Sequence, residues 1–254
     1  MIPARKRWGQ HFLVRAETAR RIVDAARVGP DETAFEVGPG EGALTRPLAE
    51  RAGRVLAVEI DRMRADALER ELSSAGNVRL LRGDVLDRTF REWLGEAGWG
   101  PPAVFVSNLP YNAATPILLR AVEEEGTFSR AIATVQKEVA RRFAARPGEE
   151  GYGYLSVKTA AFARARPLFD LPSGAFRPPP KVTSSVIELV PRSPRLEPGA
   201  RDRALVLASL AFRLRRKTAA NAISGSSPVS RASVEQALEE AGFDPRARAE
   251  TLSL

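Results

Sequence analysis

The sequence predicts an α/β fold, with a mostly parallel sheet flanked by helices and a small helical domain after it. Three observations support this. Apolar runs of strand length alternate with stretches of helical period over the first 150 residues. The first run is cut off by Gly38-Pro39-Gly40-Glu41-Gly42, a turn that leads into a helix. Beyond the stretch 191–200, with Pro191, Pro194, Pro198 and Gly199, only helical signals remain, which makes it the linker. The expected division is a domain over 1–190 and a helical one over 191–254.

Residues 15–28 put Ala19, Ile22, Val23 and Ala26 on one helical face. Ala34-Phe35-Glu36-Val37 reads as a short buried strand, and a helix through Leu44 and Leu48 follows the glycines. Arg54–Val58 is the second strand, ending at Glu59, with a helix over 62–72 after it. Val78–Leu81 is the third, stopped by Gly83-Asp84; a helix near 88–96 precedes the fourth, Ala103–Ser107, which ends at Asn108. A helix over about 114–124 leads to a fifth strand at Arg130–Val135. Strands separated in this way predict right-handed crossovers and parallel pairing. Residues 154–165 and 182–190 read as strands joined through Pro178-Pro179-Pro180, a late antiparallel addition to the sheet. The tail offers helices at Leu205–Arg216 and Ser233–Ala241, the second stopped by Gly242.

Composition narrows the chemistry. With no cysteine and a single histidine, His11, the chain has no thiolate nucleophile, no disulfide and no multi-His or Cys-ligated metal site. A net charge of +8 favours a polyanionic partner such as nucleic acid. No run approaches the roughly 18 apolar residues that span a bilayer. Arg5-Lys6-Arg7 is not followed by the apolar stretch of a signal peptide. A cytoplasmic protein without membrane attachment is expected.

The glycine turn between a strand and a helix is a nucleotide-binding geometry, in which Gly38, Gly40 and Gly42 let a ligand approach the backbone. Its spacing is G-x-G-x-G, not the G-x-G-x-x-G of dinucleotide folds, and Glu41 within it would repel a pyrophosphate. A cationic ligand fits better, and S-adenosylmethionine carries a sulfonium and an ammonium. Glu59, at the end of the next strand, can accept from both ribose hydroxyls, and Asp84, one strand further, from an adenine amino group. All three features fall at carboxyl ends of strands, where open α/β sheets bind ligands.

Asn108-Leu109-Pro110-Tyr111 ends the fourth strand on that same rim. An adenine amino nitrogen is a poor nucleophile because its lone pair is delocalised into the ring. The Asn108 carbonyl and a nearby main-chain carbonyl can each accept one of its N–H groups, which pyramidalises the nitrogen and frees the lone pair. Pro110 has no N–H of its own and a fixed φ, while Tyr111 offers a face for an extruded base. Asn108, Pro110 and Tyr111 are therefore the expected reactive centre of methyl transfer to adenine.

The chain resembles the rRNA adenine-N6,N6-dimethyltransferase family of the KsgA type. The matching stretches include Lys6–Leu13, Glu36–Gly42, Val58–Asp61, Gly83–Val85, Asn108–Asn112, Gln136–Val139, Tyr152–Val157, Phe176–Val182 and Phe212–Thr218. The resemblance implies a class I, Rossmann-like methyltransferase sheet. It implies dimethylation of two adjacent adenosines near the 3′ end of small-subunit rRNA, in a partly assembled ribosomal subunit. It also implies that His11, Leu13, Gly38, Glu59, Asp84 and Asn108 line the cofactor site, with His11 standing where asparagine is commoner. Phe176 would face the target base opposite Tyr111.

RNA contacts are expected from the basic residues. Between Arg192 and Lys217, eight Arg and Lys stand against Glu197 and Asp202, a net +6 within 26 residues. Arg213, Arg215, Arg216 and Lys217 are the densest part; Arg5, Lys6, Arg7, Lys137 and Arg141 add positive surface. Nothing in the sequence suggests more than a monomer. Three other readings stay open: an Erm-type methyltransferase of large-subunit rRNA, a DNA N6-adenine methyltransferase, and a non-catalytic assembly or transcription factor on the same fold.

Overall fold

The alternating strands and helices build the parallel sheet that their spacing predicts. In a computed structural model, which describes residues 10–193, 196–214 and 216–253, the chain begins with β1 (Phe12–Leu13) and α1 (Ala16–Ala26). The parallel strands are β2 (Thr33–Val37), β3 (Arg54–Glu59), β4 (Val78–Arg82), β5 (Ala103–Asn108) and β6 (Phe128–Gln136). Between them run α2 (Thr45–Ala49), α3 (Arg62–Glu71), α4 (Phe90–Glu96) and α5 (Ala114–Glu123). Then come α6 (Lys137–Ala144), α7 (Tyr154–Phe162), β7 (Ala163–Leu171), β8 (Phe176–Arg177) and β9 (Ser184–Pro191). The sheet order is β4-β3-β2-β5-β6-β9-β7, with β9 antiparallel to β6, as expected of a late addition. β1 and β8 form a separate two-stranded antiparallel ribbon.

Alternation along the strands sorts the core into two layers. Phe35 of β2 and Phe105 of β5 lie in register and meet Phe90 and Phe128 edge-on at 5.2–5.9 Å. On the opposite face Ala34, Val55, Val104, Val106 and Ile132 pack with Ile22 and Val23 of α1 and Leu48 of α2. Local chemistry sets several boundaries. Thr89 and Glu92 exchange side-chain and backbone hydrogen bonds in a capping box that starts α4, and the Asp61 carboxylate accepts from the Met63 N–H to start α3.

The chain divides into two compact units, one holding residues up to Ala140 with Ala165–Pro191, the other Arg141–Arg164 with Arg192 onward. The second contains α7, α8 (Pro198–Ala211), α9 (Ala219–Ser224) and α10 (Arg231–Glu240) around Ala211, Ala219, Ala220, Ile223 and Val234. This differs from a boundary after residue 190, because Arg141–Arg164 packs with the tail. The Tyr152 hydroxyl donates to the Leu252 carbonyl (2.7 Å), and the Tyr152 ring meets Phe212 edge-on at 5.8 Å.

The strand expected at 154–165 is a correction. Tyr154–Phe162 is helical, and only from Ala163 is the chain extended. The segment is buried on nearly every side, as a core helix is, so it lacks the one-sided apolar stripe that marks a surface helix. Its hydroxyls are satisfied there, Thr159 donating to the Leu155 carbonyl (2.7 Å) and Ser156 to that of Arg142 (2.6 Å).

Candidate functional site

Because β2 to β5 run parallel and adjacent, Val37, Glu59, Arg82 and Asn108 end on one rim. Ser107 fastens two of these ends by donating to the Val37 carbonyl (2.6 Å). The rim opens into a cleft lined by Gly38, Glu59, Asp84, Asn108, Leu109 and Pro110 from the strand ends, and by Gln10, His11 and Phe12 from the N-terminal side. The cleft thus gathers His11, Gly38, Glu59, Asp84, Asn108 and Pro110 of the sequence-predicted residues. Among the described residues, no lysine or arginine lines it.

Each acid is held by backbone. Glu59, 2 % exposed, accepts from the Gly40 N–H (3.0 Å) at one oxygen and the Asp61 N–H (2.9 Å) at the other. Burial pushes its carboxyl above the usual range, and these two bonds partly offset the effect. Asp84 Oδ1 accepts from the Leu86 N–H (2.9 Å) and caps the turn after β4. Behind the glycine loop Glu36 is fully buried, with a pKa pushed up to about 8 by burial, against the lowering effect of its bond from Thr45 (2.7 Å).

The three glycines differ in role. Gly38, at φ 64°, lines the cleft, and a Cβ there would meet open space. Gly40 and Gly42 face protein: a Cβ on Gly40 would stand 2.7 Å from the Phe12 ring, and one on Gly42 2.5 Å from Leu68. They let the loop pack, and only Gly38 presents backbone to the cleft. Leu13 is also set back, buried in the core and lining a smaller pocket with Gly38 and Asn108.

Asn108 Nδ2 donates to the His11 carbonyl (2.8 Å), which leaves Oδ1 buried with no partner. An unsatisfied buried acceptor costs about 1–3 kcal/mol, a cost that a donor entering the cleft removes. His11 Nδ1 donates to the Pro178 carbonyl (2.7 Å), so that nitrogen carries a proton, and its ring lies 5.1 Å from that of Tyr111. The Tyr111 hydroxyl, whose pKa burial raises, bonds Ser184. Phe176 stands apart: it is 3 % exposed, pairs with Leu13 across the β1–β8 ribbon and belongs to the core. The structure does not present its ring to the cleft.

Sequence reasoning missed Phe12, Ile60, Val85 and Ile117, which line the cleft with apolar surface. Ile60 is 42 % exposed, and an exposed isoleucine directly after a strand-end acid was the available signal. Of the basic residues, Arg213, Arg216 and Lys217 are exposed in the second unit. Lys137 is paired with Asp170 (2.6 Å) and Arg141 with Glu150 (2.8 Å), so both are less free for phosphate than a count of charges suggests. Arg5, Lys6, Arg7 and Arg215 lie outside the described residues.

The fold and this rim are those of a class I S-adenosylmethionine-dependent methyltransferase. The family model described as ribosomal RNA adenine dimethylase matches residues 1–253, and the chain belongs to that family. It is 41 % identical to a Moorella thermoacetica protein named ribosomal RNA small subunit methyltransferase A, over 100 % of this chain and 90 % of that one. A Nitrosococcus oceani protein of the same name is 42 % identical over 99 % and 92 %. Among solved structures, the 23S rRNA methyltransferase ErmE is 31 % identical with a TM-score of 0.72 over 94 % of this chain and 93 % of that one. A dimethyladenosine transferase from Plasmodium falciparum, 23 % identical, shares the fold with a TM-score of 0.78 over 96 % and 93 %.

Proposed function

We propose that the chain transfers methyl groups from S-adenosylmethionine to N6 of two adjacent adenosines near the 3′ end of small-subunit rRNA. It acts as a monomer in the cytoplasm, on a partly assembled subunit. Among the described residues no helix is long and apolar enough to cross a membrane. The observation that carries the reading is the pairing, on one rim, of an acidic cleft that no lysine or arginine lines among the described residues with the unsatisfied Oδ1 of Asn108. The relatives named for the small subunit, more than 40 % identical over nearly the whole chain, favour that subunit over the large one.

The cofactor fits the residues present. Gly38 leaves its Cβ position open, and the lining carries Glu59 and Asp84 with no lysine or arginine among the described residues. Bound there, S-adenosylmethionine supplies an electrophilic methyl group. Glu59 keeps one lone pair per oxygen for ribose hydroxyls, since backbone N–H groups hold it rigidly by the others. Asp84 Oδ2 is available for an adenine amino group, and Ile60 and Val85 offer apolar surface to the ring. Asn108 Oδ1 accepts one N–H of the target amino group, and a main-chain carbonyl of the turn accepts the other. Tyr111, fixed through Ser184, presents a face to the extruded base. Exposed Arg213, Arg216 and Lys217 hold phosphates.

The test offers labelled S-adenosylmethionine with small-subunit particles from cells lacking the protein, large-subunit particles, or duplex DNA. Label is expected in small-subunit rRNA alone. Label confined to large-subunit rRNA, or to DNA, would overturn the assignment.

A further inference from the structure

We infer that Arg64 is a positioning residue for the cofactor site, acting through Phe12 to hold the N-terminal segment over the cleft. The inference rests on the reading of that cleft as the S-adenosylmethionine site.

Residues 10–12 form one wall of the cleft, and β1 fastens it to the rest of the fold. β1 contributes a ladder of two residues, Phe12 opposite Arg177 and Leu13 opposite Phe176. Leu13 enters the core, the His11 carbonyl accepts from Asn108, and the His11 ring donates to Pro178. A two-residue ribbon is too short to be stable alone. The position of the wall depends on what grips its side chains.

The Phe12 ring is gripped on two sides. It approaches the glycine loop so closely that a Cβ on Gly40 would stand 2.7 and 2.8 Å from its edge carbons. The guanidinium carbon of Arg64 lies 4.2 Å from the ring centroid. Arg64 is 2 % exposed, among the largest fully buried side chains of the chain. Its guanidinium lies 3.5 Å from Glu41 and 3.8 Å from Asp61. A desolvated guanidinium over an aromatic face is a strong form of cation–π contact. A bare hydrophobic seat for Phe12 would not call for a buried charge.

The same elements tie this grip to the ligand side. Gly40, beneath Phe12, donates its N–H to Glu59, and Asp61, beside Arg64, donates its N–H to the other Glu59 oxygen. The Phe12 clamp and the carboxylate proposed for the ribose thus share one scaffold, and displacing Phe12 moves the wall against which the cofactor rests. Arg64 touches neither cofactor nor substrate in this account.

The test measures S-adenosylmethionine binding by calorimetry, and KM against kcat, for the wild type, Arg64→Gln, Arg64→Lys, Phe12→Leu and the double variant Arg64→Gln/Phe12→Leu. Arg64→Gln is expected to raise Kd and KM for S-adenosylmethionine about tenfold while kcat at saturation stays within about threefold, the loss anticipated for one desolvated cation–π contact. Arg64→Lys, which keeps the charge, should recover part of the affinity. Phe12→Leu leaves the Glu41–Arg64–Asp61 cluster in place and should weaken binding to a similar degree. The double variant should be little worse than either single one, since residues that act as a unit are not additive. Additive losses, or wild-type affinity in a folded Arg64→Gln or in Phe12→Leu, would overturn the inference. A wild-type chain that binds no S-adenosylmethionine would instead overturn the cofactor reading on which it stands.

Discussion

The sheet rim and the basic segment around Arg213–Lys217 are built on opposite electrostatic principles. On the rim, Glu59 and Asp84 are pinned by backbone N–H groups, Asn108 keeps a buried acceptor open, and no lysine or arginine lines the cleft among the described residues. In the second unit, Arg213, Arg216 and Lys217 are exposed on a segment with few acids. The difference teaches that the two substrates demand opposite surroundings. A sulfonium donor needs a dry acidic pocket with fixed geometry, whereas an RNA backbone needs mobile exposed cations whose number matters more than their placement. The +8 of the whole chain hides this separation.

Substitutions can break the comparison by showing that one region does the other's work. The largest effect is expected for Asn108→Ala, which should lower kcat about 1,000-fold, in the range of a lost transition-state hydrogen-bonding group, while S-adenosylmethionine affinity falls far less, by about tenfold at most from the lost bond to the His11 carbonyl. Single-turnover methyl transfer and calorimetry on the same variant check both halves. Next, Glu59→Gln turns an acceptor towards a backbone N–H into a donor, and should raise Kd for S-adenosylmethionine about 100-fold. RNA affinity should stay unchanged; a fall in filter-binding assays would show that the rim also serves RNA.

Replacing Arg213, Arg216 and Lys217 together by Gln should weaken RNA binding about tenfold and lower the salt slope by about 2–3. Cofactor affinity measured beside it should not move.

The smallest effect concerns Glu36 beneath the glycine loop. Its pKa of about 8 in the folded chain lies above the unfolded value, so the folded state holds a proton that the unfolded state releases. Stability must therefore fall as pH rises from about 4.5 to 8 and level off above that. Glu36→Gln removes the titration. Its melting temperature should match the wild type near pH 5 and exceed it by about 5 °C at pH 8. A gap that does not change with pH would show that Glu36 is ionised in the folded protein.

How much of this was legible in the sequence depended on how local each feature is. Gly38, Glu59, Asp84 and Asn108 stand at strand ends, and once strands are recognised as parallel, topology alone brings those ends together. The packing of Phe12 between Gly40 and Arg64 involves residues 28 to 52 positions apart and follows from no local period. The pairing of Phe176 with Leu13, which sets it in the core, is likewise a long-range contact that no local period reveals. The helix at Tyr154–Phe162 was hidden because burial on nearly every side erases the 3.6-residue period. Basic residues could be counted but not their partners, so Lys137 and Arg141 gave no sign of Asp170 and Glu150.

The central claim is that Asn108, on the cofactor rim, activates an adenine amino group of small-subunit rRNA. Its most direct test maps methylated nucleotides by primer extension and mass spectrometry in cells lacking the protein, complemented with wild type or Asn108→Ala. The wild type should restore two adjacent dimethylated adenosines near the 3′ end of small-subunit rRNA, and Asn108→Ala should restore neither. Full restoration by Asn108→Ala, or modification only in large-subunit rRNA, would contradict it.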